Sequence, residues 1–449
     1  MRKAKIYQVT RYNRVKISFI ILASVIFSSC IKDFTTNSTN SVPTVITSSV
    51  SSITYTTATS GGTVTADGGT PVTARGVCWG TVSNPTIAGN HTSDSSGTGS
   101  FISYLTGLSS STTYHIRAYA TNGEGTAYGN ELVFNTLAPD VYVVGGEHGL
   151  GGANIRATVW KNGVASFLTD GSNSASAFAI FVSDSNVYIA GYENQNLNPV
   201  AKIWKNGVAT SLSNPAHRAI AKSVFVSGTD VYAAGYEDNG TNYMAMLWKN
   251  GVATLLSAAS HHAQAYWVYV SGADVYVVGF ENNGIFDEGK VWKNGIAISY
   301  STNFFDPQSV FVAGSDIYVA GANYPGTGTG RNAAVWKNGI VSTLTNTNGD
   351  AKAQSVFVSG TDVYVAGYDN EVPGHPIAKV WKNGLATHLT DINYDGYAAE
   401  VRVLGSDVYV AGYDYNGSSY TSAKLYKNGV ATALPSSLQY SFANGLFVK

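Results

Sequence analysis

From about residue 139 onward the chain repeats one pattern of apolar and polar positions. The pattern is clearest over residues 353–389: AQSVFVSGTDVYVAGY, a variable stretch, then AKVWKNGLATHL. Four strand-like runs lie in it, SVFVSG, DVYVAGY, AKVWKNG and VATxL. The first two are apolar at successive positions instead of alternating, so both of their faces must be buried. The third ends in Asn-Gly, the dipeptide of a tight two-residue hairpin. That dipeptide recurs at Asn162, Asn206, Asn250, Asn294, Asn338, Asn383 and Asn428, each time after Lys and an aromatic residue, at steps of 44, 44, 44, 44, 45 and 45 residues.

A period of this size, made of short β-rich runs and turn residues, predicts a β-propeller with one blade per repeat. The two ends of the region set the count. Residues 140–145 begin directly with a second run, and residues 445–448 are a first run with nothing after them. The halves complete each other, which predicts seven blades over residues 139–449, closed by the C-terminal strand. Closure removes the exposed edges of an open array. With Trp160 later in its unit, the pair Gly145-Gly146 resembles a Kelch repeat, although other units carry Gly-Tyr or Gly-Phe there.

Residues 44–138 follow a different pattern, with short alternating runs punctuated by Gly61-Gly62, Asp67-Gly68-Gly69 and Asn122-Gly123. That spacing predicts a β-sandwich. The run from Leu108 through Tyr114, Arg117 and Tyr119 resembles the later strands of a fibronectin type III domain, in which Tyr114 matches the tyrosine of the corner hydrogen bond. Arg75-Gly76-Val77-Cys78-Trp79 is similar to a variant of this module found in bacterial surface proteins. The resemblance implies a spacer or adhesive unit, and Trp79 is expected in its core. The fold class is therefore all-β: a fibronectin type III-like sandwich followed by a seven-bladed propeller.

The N-terminus carries six basic residues (Arg2, Lys3, Lys5, Arg11, Arg14, Lys16), an 11-residue apolar run over 17–27, and Ser28-Ser29-Cys30. Eleven residues are too few to span a bilayer, which needs about 20. The segment resembles a bacterial lipoprotein signal peptide, covering residues 1–29, with Cys30 as the lipidated residue. Phe27 stands where that box has Leu, and Ile31-Lys32-Asp33 is similar to an acidic surface-sorting signal of Bacteroidetes lipoproteins. The resemblance implies an outer-membrane lipoprotein held by its N-terminal lipid, with surface exposure as an open possibility. Residues 30–43, rich in Thr, Ser and Asn, predict a flexible tether.

Charge narrows the partners. The whole chain has 27 basic and 28 acidic residues; without the six basic residues of 1–29 the balance is 21 against 28, a net −7. Nucleic-acid binding wants a basic face, so no nucleic-acid partner is expected. With Cys30 acylated, Cys78 has no partner for a disulfide and reads as a small buried hydrophobe.

In a propeller the variable connections fall on one face and the short, repeated turns on the other. Binding specificity is expected on the variable face. Where the second run enters that face, six units carry an acid: Glu147, Glu193, Glu237, Glu281, Asp369 and Asp414. An aromatic precedes it at Tyr192, Tyr236, Phe280, Tyr368 and Tyr413. Two readings are open. The acids and rings form a ligand-binding collar, or each acid serves its own loop and each ring packs between blades. On the other face the lysines before Asn-Gly, from Lys161 to Lys427, predict a solvated basic ring, and the aromatic before each lysine predicts inter-blade packing. In the seventh unit Glu400 and Arg402 replace the Ser and Phe of the first run. Two residues apart on a strand, they share a side and are candidates for an axial ion pair.

No metal-ligand spacing, nucleophile elbow or phosphate-cradling glycine run is present, and no cofactor or metal is expected. His261-His262 are adjacent in one loop, where their side chains diverge. Asp287, Glu288 and Asp395 are acids outside the repeat pattern. The expectation is a cell-envelope protein that binds a glycan or protein through one face of its propeller. A polysaccharide lyase or hydrolase is the alternative, because carboxylates from different blades meet without a sequence signature.

Overall fold

The computed structural model describes residues 39–149, 153–298, 305–324, 330–345, 349–372, 374–415 and 420–449. The expected signal segment 1–29, Cys30 and most of the tether 30–43 lie outside the described residues.

Residues 44–135 form two antiparallel sheets around one apolar core. Thr44–Thr47, Ala58–Ala66 and Gly99–Leu105 make the smaller sheet. In the larger one Asn90–His91, Ala74–Gly80 and Thr113–Asn122 lie side by side, and both Gly125–Tyr128 and Leu132–Asn135 pair with Thr113–Asn122. Alternation selects the inward residues, so that Val64, Val77, Phe101, Leu105, Ile116 and Ala118 meet in the interior. The Ser109 N–H donates to the Tyr114 hydroxyl at 3.0 Å. Trp79 is half-buried against this core. Cys78 is fully buried, and burial pushes its thiol up to about 11.

Among the described residues the repeat region forms seven four-stranded antiparallel sheets. The sixth shows the order: Ala351–Ser359, Asp362–Val372, His375–Lys382, Leu385–His388. The first sheet is composite, because Tyr440–Val448 pairs with Val141–His148, which is followed by Arg156–Lys161 and Val164–Phe167. First strands of successive sheets pack side by side, and Tyr440–Val448 lies between those of the seventh and second sheets. The continuous apolar runs are explained by clusters that straddle sheets. Trp248 of the third sheet packs with Ala179 and Tyr188 of the second, and Trp160 of the first packs with Tyr409 of the seventh. The six repeated tryptophans and Tyr426 are all fully buried, as inter-sheet packing requires.

One glycine position is dictated by close approach. A Cβ on Gly367 would lie 2.0 Å from the Lys352 carbonyl oxygen, and one on Gly235 would lie 1.9 Å from that of Ile220. The same crossing holds a one-residue bulge in the first strand. Pairing passes from Ala353–Gly367 to Ser355–Ala366 and leaves Gln354 without a partner across the ladder. A bulge turns its extra residue out of the ladder. Every first strand has one at the equivalent place.

The outer hairpins are clamped. Asn383 and Gly384 both have positive φ, 50° and 84°, as a primed two-residue turn needs. The Asn383 side chain accepts from the Val363 N–H and donates to Asp362, each at 2.8 Å. The lysines before Asn-Gly are solvent-accessible as expected, but six of the seven, Lys161, Lys249, Lys293, Lys337, Lys382 and Lys427, pair with aspartates at 2.7–3.0 Å. Those aspartates stand just before or at the start of the second strands, so six of the seven lysine charges are neutralised locally; the second unit has Asn186 in place of the aspartate beside Lys205.

The seventh unit differs, because the N-terminal module docks on it. Asp407 is buried, accepts from the Ser110 hydroxyl at 2.6 Å and from the Ser110 N–H at 3.2 Å, and pairs with Lys427 at 3.0 Å. Ser109 and Ser406 hydroxyls meet at 2.8 Å beside it.

Candidate functional site

The seven bulged residues are Phe178, Lys222, Tyr266, Gln308, Gln354, Ala399 and Asn444, and all of them line one cavity of about 400 Å³. Their flanking positions repeat, typically as a small residue before and Ala or Ser after, whereas the bulged position differs almost from unit to unit. A residue freed from ladder pairing is released from the constraint that keeps its neighbours alike. Gln264, Trp267, Tyr397 and Tyr413 complete most of the wall. A second cavity of about 550 Å³ shares Phe178, Tyr413 and Asn444 with the first and extends past Tyr192, Tyr440 and His148. Ile155, Tyr415 and Thr421, from the variable connections of the first and seventh sheets, also line it.

Polar groups in the axial cavity are unevenly satisfied. The Asn444 amide donates to the Ala177 carbonyl at 2.9 Å, and that of Gln308 donates to Asp306 at 2.7 Å. Gln264, Gln354 and Lys222 have no hydrogen-bond or ion-pair partner among the described residues. Lys222 Nζ lies 4.1 Å from the centroid of the Phe178 ring. Burial, with a smaller contribution from the positive charge of Lys352, pulls its ammonium down to about 8. Lys352 itself is paired with Asp306 at 2.8 Å, which leaves Lys222 as the uncompensated charge of the wall.

Three residues beyond each bulge a second ring closes beneath the cavity. Phe181, Phe225, Tyr269, Phe311 and Phe357 follow one another with ring centroids 4.7–5.0 Å apart. Phe447 meets Phe181 at 5.1 Å. Arg402 bridges the remaining gap, its guanidinium 5.7 Å from Phe357 and 5.8 Å from Phe447. Glu400 and Arg402 do pair, at 2.5 Å. Burial pushes the Glu400 carboxyl up against the opposing pull of Arg402 and the Leu446 N–H.

The acids of the sequence-predicted collar turn mostly to local partners. Glu193 lies 3.5 Å from Lys202, Asp369 3.1 Å from Lys379 and Asp414 3.6 Å from Lys424, all lysines at one position of the third strand. Glu147 accepts from the Ser436 hydroxyl at 2.7 Å and the Ser437 N–H at 3.2 Å. Glu281 accepts from the Ala258 N–H at 2.9 Å and approaches His261 at 3.3 Å. The fifth unit, with Asn323 in place of the acid, has Ala334 in place of the lysine. In the third unit Met246 occupies the lysine position, Glu237 has no such partner, and burial pushes its carboxyl up.

The collar aromatics divide in the same way. Tyr413 lines both cavities and stacks on Tyr397 at 5.1 Å; burial pushes its hydroxyl up to about 12. Tyr192 lines the second cavity. Tyr236 packs on Tyr243 at 4.8 Å, and its buried hydroxyl is likewise pushed up to about 12. Tyr368 is buried, with its hydroxyl 3.2 Å from Asp350 in a cluster with Arg331. Asp395 meets His375 at 2.8 Å, Asp287 takes the Asn282 amide at 2.8 Å and Glu288 pairs with Lys290 at 3.0 Å, each contact at or near a strand end. His262 turns to Tyr243 and Phe280 while its neighbour His261 turns to Glu281.

Sequence reasoning did not single out Lys222, Gln264, Gln308, Gln354 or Asn444. For all of these but Gln264 the signal was available in the one position of the first run that varies while its neighbours repeat.

The stacked four-stranded antiparallel sheets are β-propeller architecture. No family model matches the chain, and no curated protein matches it. Among solved structures it is similar to TolB from Acinetobacter baumannii, at 9% identity and a TM-score of 0.39, over 60% of this chain and 74% of that one. It is also similar to the β-propeller domain of the Trilobed protease from Pyrococcus furiosus, at 9% identity and a TM-score of 0.29, over 87% and 96% of the two chains. A DUF4784 family protein from Bacteroides caccae gives 9% identity and a TM-score of 0.27 over 91% and 99%. None of these likenesses carries an activity to this chain.

Proposed function

We propose that this chain is a cell-envelope lipoprotein that presents a glycan-binding propeller. In this reading residues 1–29 are removed, Cys30 carries the lipid, residues 30–43 are the tether and residues 44–138 are a fibronectin type III-like spacer. Residues 139–449 are then a seven-bladed, Kelch-like propeller closed by its C-terminal strand. The observation that carries the binding role is the axial cavity of about 400 Å³, walled by non-repeating amides, aromatic rings and one lysine. The volume falls within the range of small-molecule sites, about 300–1,000 Å³. Amides offer donors and acceptors to hydroxyls, and tyrosine rings offer flat apolar faces to sugar C–H groups.

Of the sequence-predicted residues, Tyr413 serves the cavity directly and Glu237 is the collar acid left free for a ligand. Glu193, Glu281, Asp369 and Asp414 support the loops around it, together with Tyr236 and Tyr368. The test is a glycan array probed with the mature protein, alongside the Gln354→Leu and Tyr413→Ala variants. Array signal that both substitutions weaken supports the reading; the absence of any glycan signal, or signal indifferent to both, overturns it. A Cys30→Ala variant that still partitions with membranes would overturn the lipid anchor.

A further inference from the structure

We infer that the axial cavity selects a carboxylated sugar, with the sugar carboxylate seated against Lys222. The inference rests on the glycan reading above and names the class of glycan. Lys222 occupies a bulge, where a side chain is free of the ladder, and its one ring contact among the described residues is with Phe178 at the neighbouring bulge. Its neighbours at equivalent positions are a ring, amides, an alanine and a tyrosine, so nothing in the repeat calls for a cation there. No carboxylate stands among the described residues lining the cavity. Outside that lining, Asp306 is taken by Lys352 at 2.8 Å and by the Gln308 amide at 2.7 Å, and Glu237 lies on the strand paired with that of Lys222, opposite Ala219.

An unpaired, partly buried ammonium is poorly solvated, and an anion in the cavity would compensate it. The geometry also decides which anion. One lysine presents a single compact charge with three donors, which suits a monovalent carboxylate; a phosphate dianion is better matched by an arginine fork or several cations. Around it Gln264 and Gln354 have free amide groups, and Tyr266, Tyr397 and Tyr413 supply ring faces. Amides and rings about one cation fit a uronic acid residue, which carries hydroxyls, an apolar ring face and one carboxylate. The depressed Lys222 ammonium, at about 8, still bears a proton at neutral pH.

The experiment is calorimetric titration of the full mature protein with uronate oligosaccharides of several backbones, each paired with its methyl ester. Esterification removes the charge and keeps the shape. The expected result is an acid form that binds about 10- to 100-fold more tightly than its ester, the range of a hydrogen bond to a charged group. Lys222→Met should abolish the preference, bringing the acid down to the affinity of its ester in the same variant, while Lys222→Arg should retain a preference for the acid. Circular dichroism and melting curves establish that each variant is folded. Equal affinity for acid and ester in the parent protein, or a preference that survives in Lys222→Met, overturns the inference. Binding of neutral glycans with none of any uronate overturns it while leaving the glycan reading intact, and failure of every glycan overturns both.

Discussion

The carboxylate of Glu400 accepts the backbone N–H of Leu446 at 2.8 Å, a buried bond from the seventh sheet to the C-terminal strand. In other sheets a serine does this. Ser223, Ser309 and Ser355 accept from Val268, Val356 and Val401 of the following first strand, at 2.8, 2.9 and 3.3 Å. The bond is a staple between neighbouring first strands, and Glu400 is its form at the junction where the two ends of the repeat region meet. Arg402 pairs with Glu400, donates to the Leu446 carbonyl at 3.2 Å and stands in the aromatic ring where other units have Phe or Tyr.

Glu400→Ala is expected to lose about 2–4 kcal/mol, because it leaves the partly buried Arg402 guanidinium uncompensated and a buried N–H without its acceptor. The double variant Glu400→Ser, Arg402→Phe restores the residues of the other units and should fall within about 1 kcal/mol of the parent protein. Urea unfolding at constant m-value measures both. A single variant as stable as the parent would remove the staple from the account.

The glycine of the second run predicts a different failure. Gly367→Ala places a methyl group 2.0 Å from the Lys352 carbonyl, a backbone atom that cannot turn away. The expected loss is about 1–3 kcal/mol by overpacking, measured as a lower urea midpoint. The control Gly384→Ala sits at φ 84° in an outer hairpin with nothing within 4 Å. Its cost is backbone strain alone, about 1 kcal/mol, so the ranking of the two separates collision from conformation.

The contact between Asp407 and Ser110 should make the docking of the N-terminal module acid-sensitive. Burial raises the Asp407 carboxyl, but hydrogen bonds from Ser110, Asn428 and Lys427 outweigh it and hold it below the usual carboxylate range. A depressed folded-state value stabilises the docked form above the ordinary aspartate pKa of about 3.9, and the stabilisation is lost as pH falls through the folded value. Small-angle scattering below about pH 4 should show the two modules separating. Asp407→Asn should loosen them already at neutral pH and flatten the acid response. A parent protein whose shape is unchanged between pH 7 and pH 3 would count against the latch.

Much of this architecture was legible because repetition exposes it. The period set by Asn162 through Asn428, the split unit at the two ends and the apolar first and second runs are read directly from residue types, and the sheets follow them strand for strand. The candidate site was less legible for a physical reason. The acids at Glu193, Asp369 and Asp414 drew attention by repeating, yet their lysine partners lie on the facing third strand, and a pairing across strands has no fixed spacing in sequence. The axial wall is made by bulges. A bulge shifts the inward and outward alternation by one residue, so an alternation rule cannot tell that Lys222 and Gln354 leave the ladder.

Lys222 also predicts a trade of stability for binding. An ammonium held at about 8, against about 10.4 for a free lysine, means that the unfolded chain binds more protons between those values. Stability of the ligand-free protein should therefore rise as pH increases through about 8 to 10.4, because the folded state needs to lose the charge that burial disfavours. Lys352, held by Asp306, adds repulsion at neutral pH, and the Tyr266 and Tyr413 hydroxyls near the cavity stay protonated through the start of this window because burial raises both. Lys222→Met should remove the lysine part of that slope and stabilise the ligand-free protein at pH 7 by about 1–3 kcal/mol, the order expected when a partly buried charge is replaced by an apolar side chain of similar length. Sites that hold an unfavourable group for function give up stability in this way. Paired urea titrations at pH 7 and pH 9.5 on parent and variant measure both effects, and a Lys222→Met protein less stable than the parent at pH 7 would show that the ammonium is already compensated in the fold.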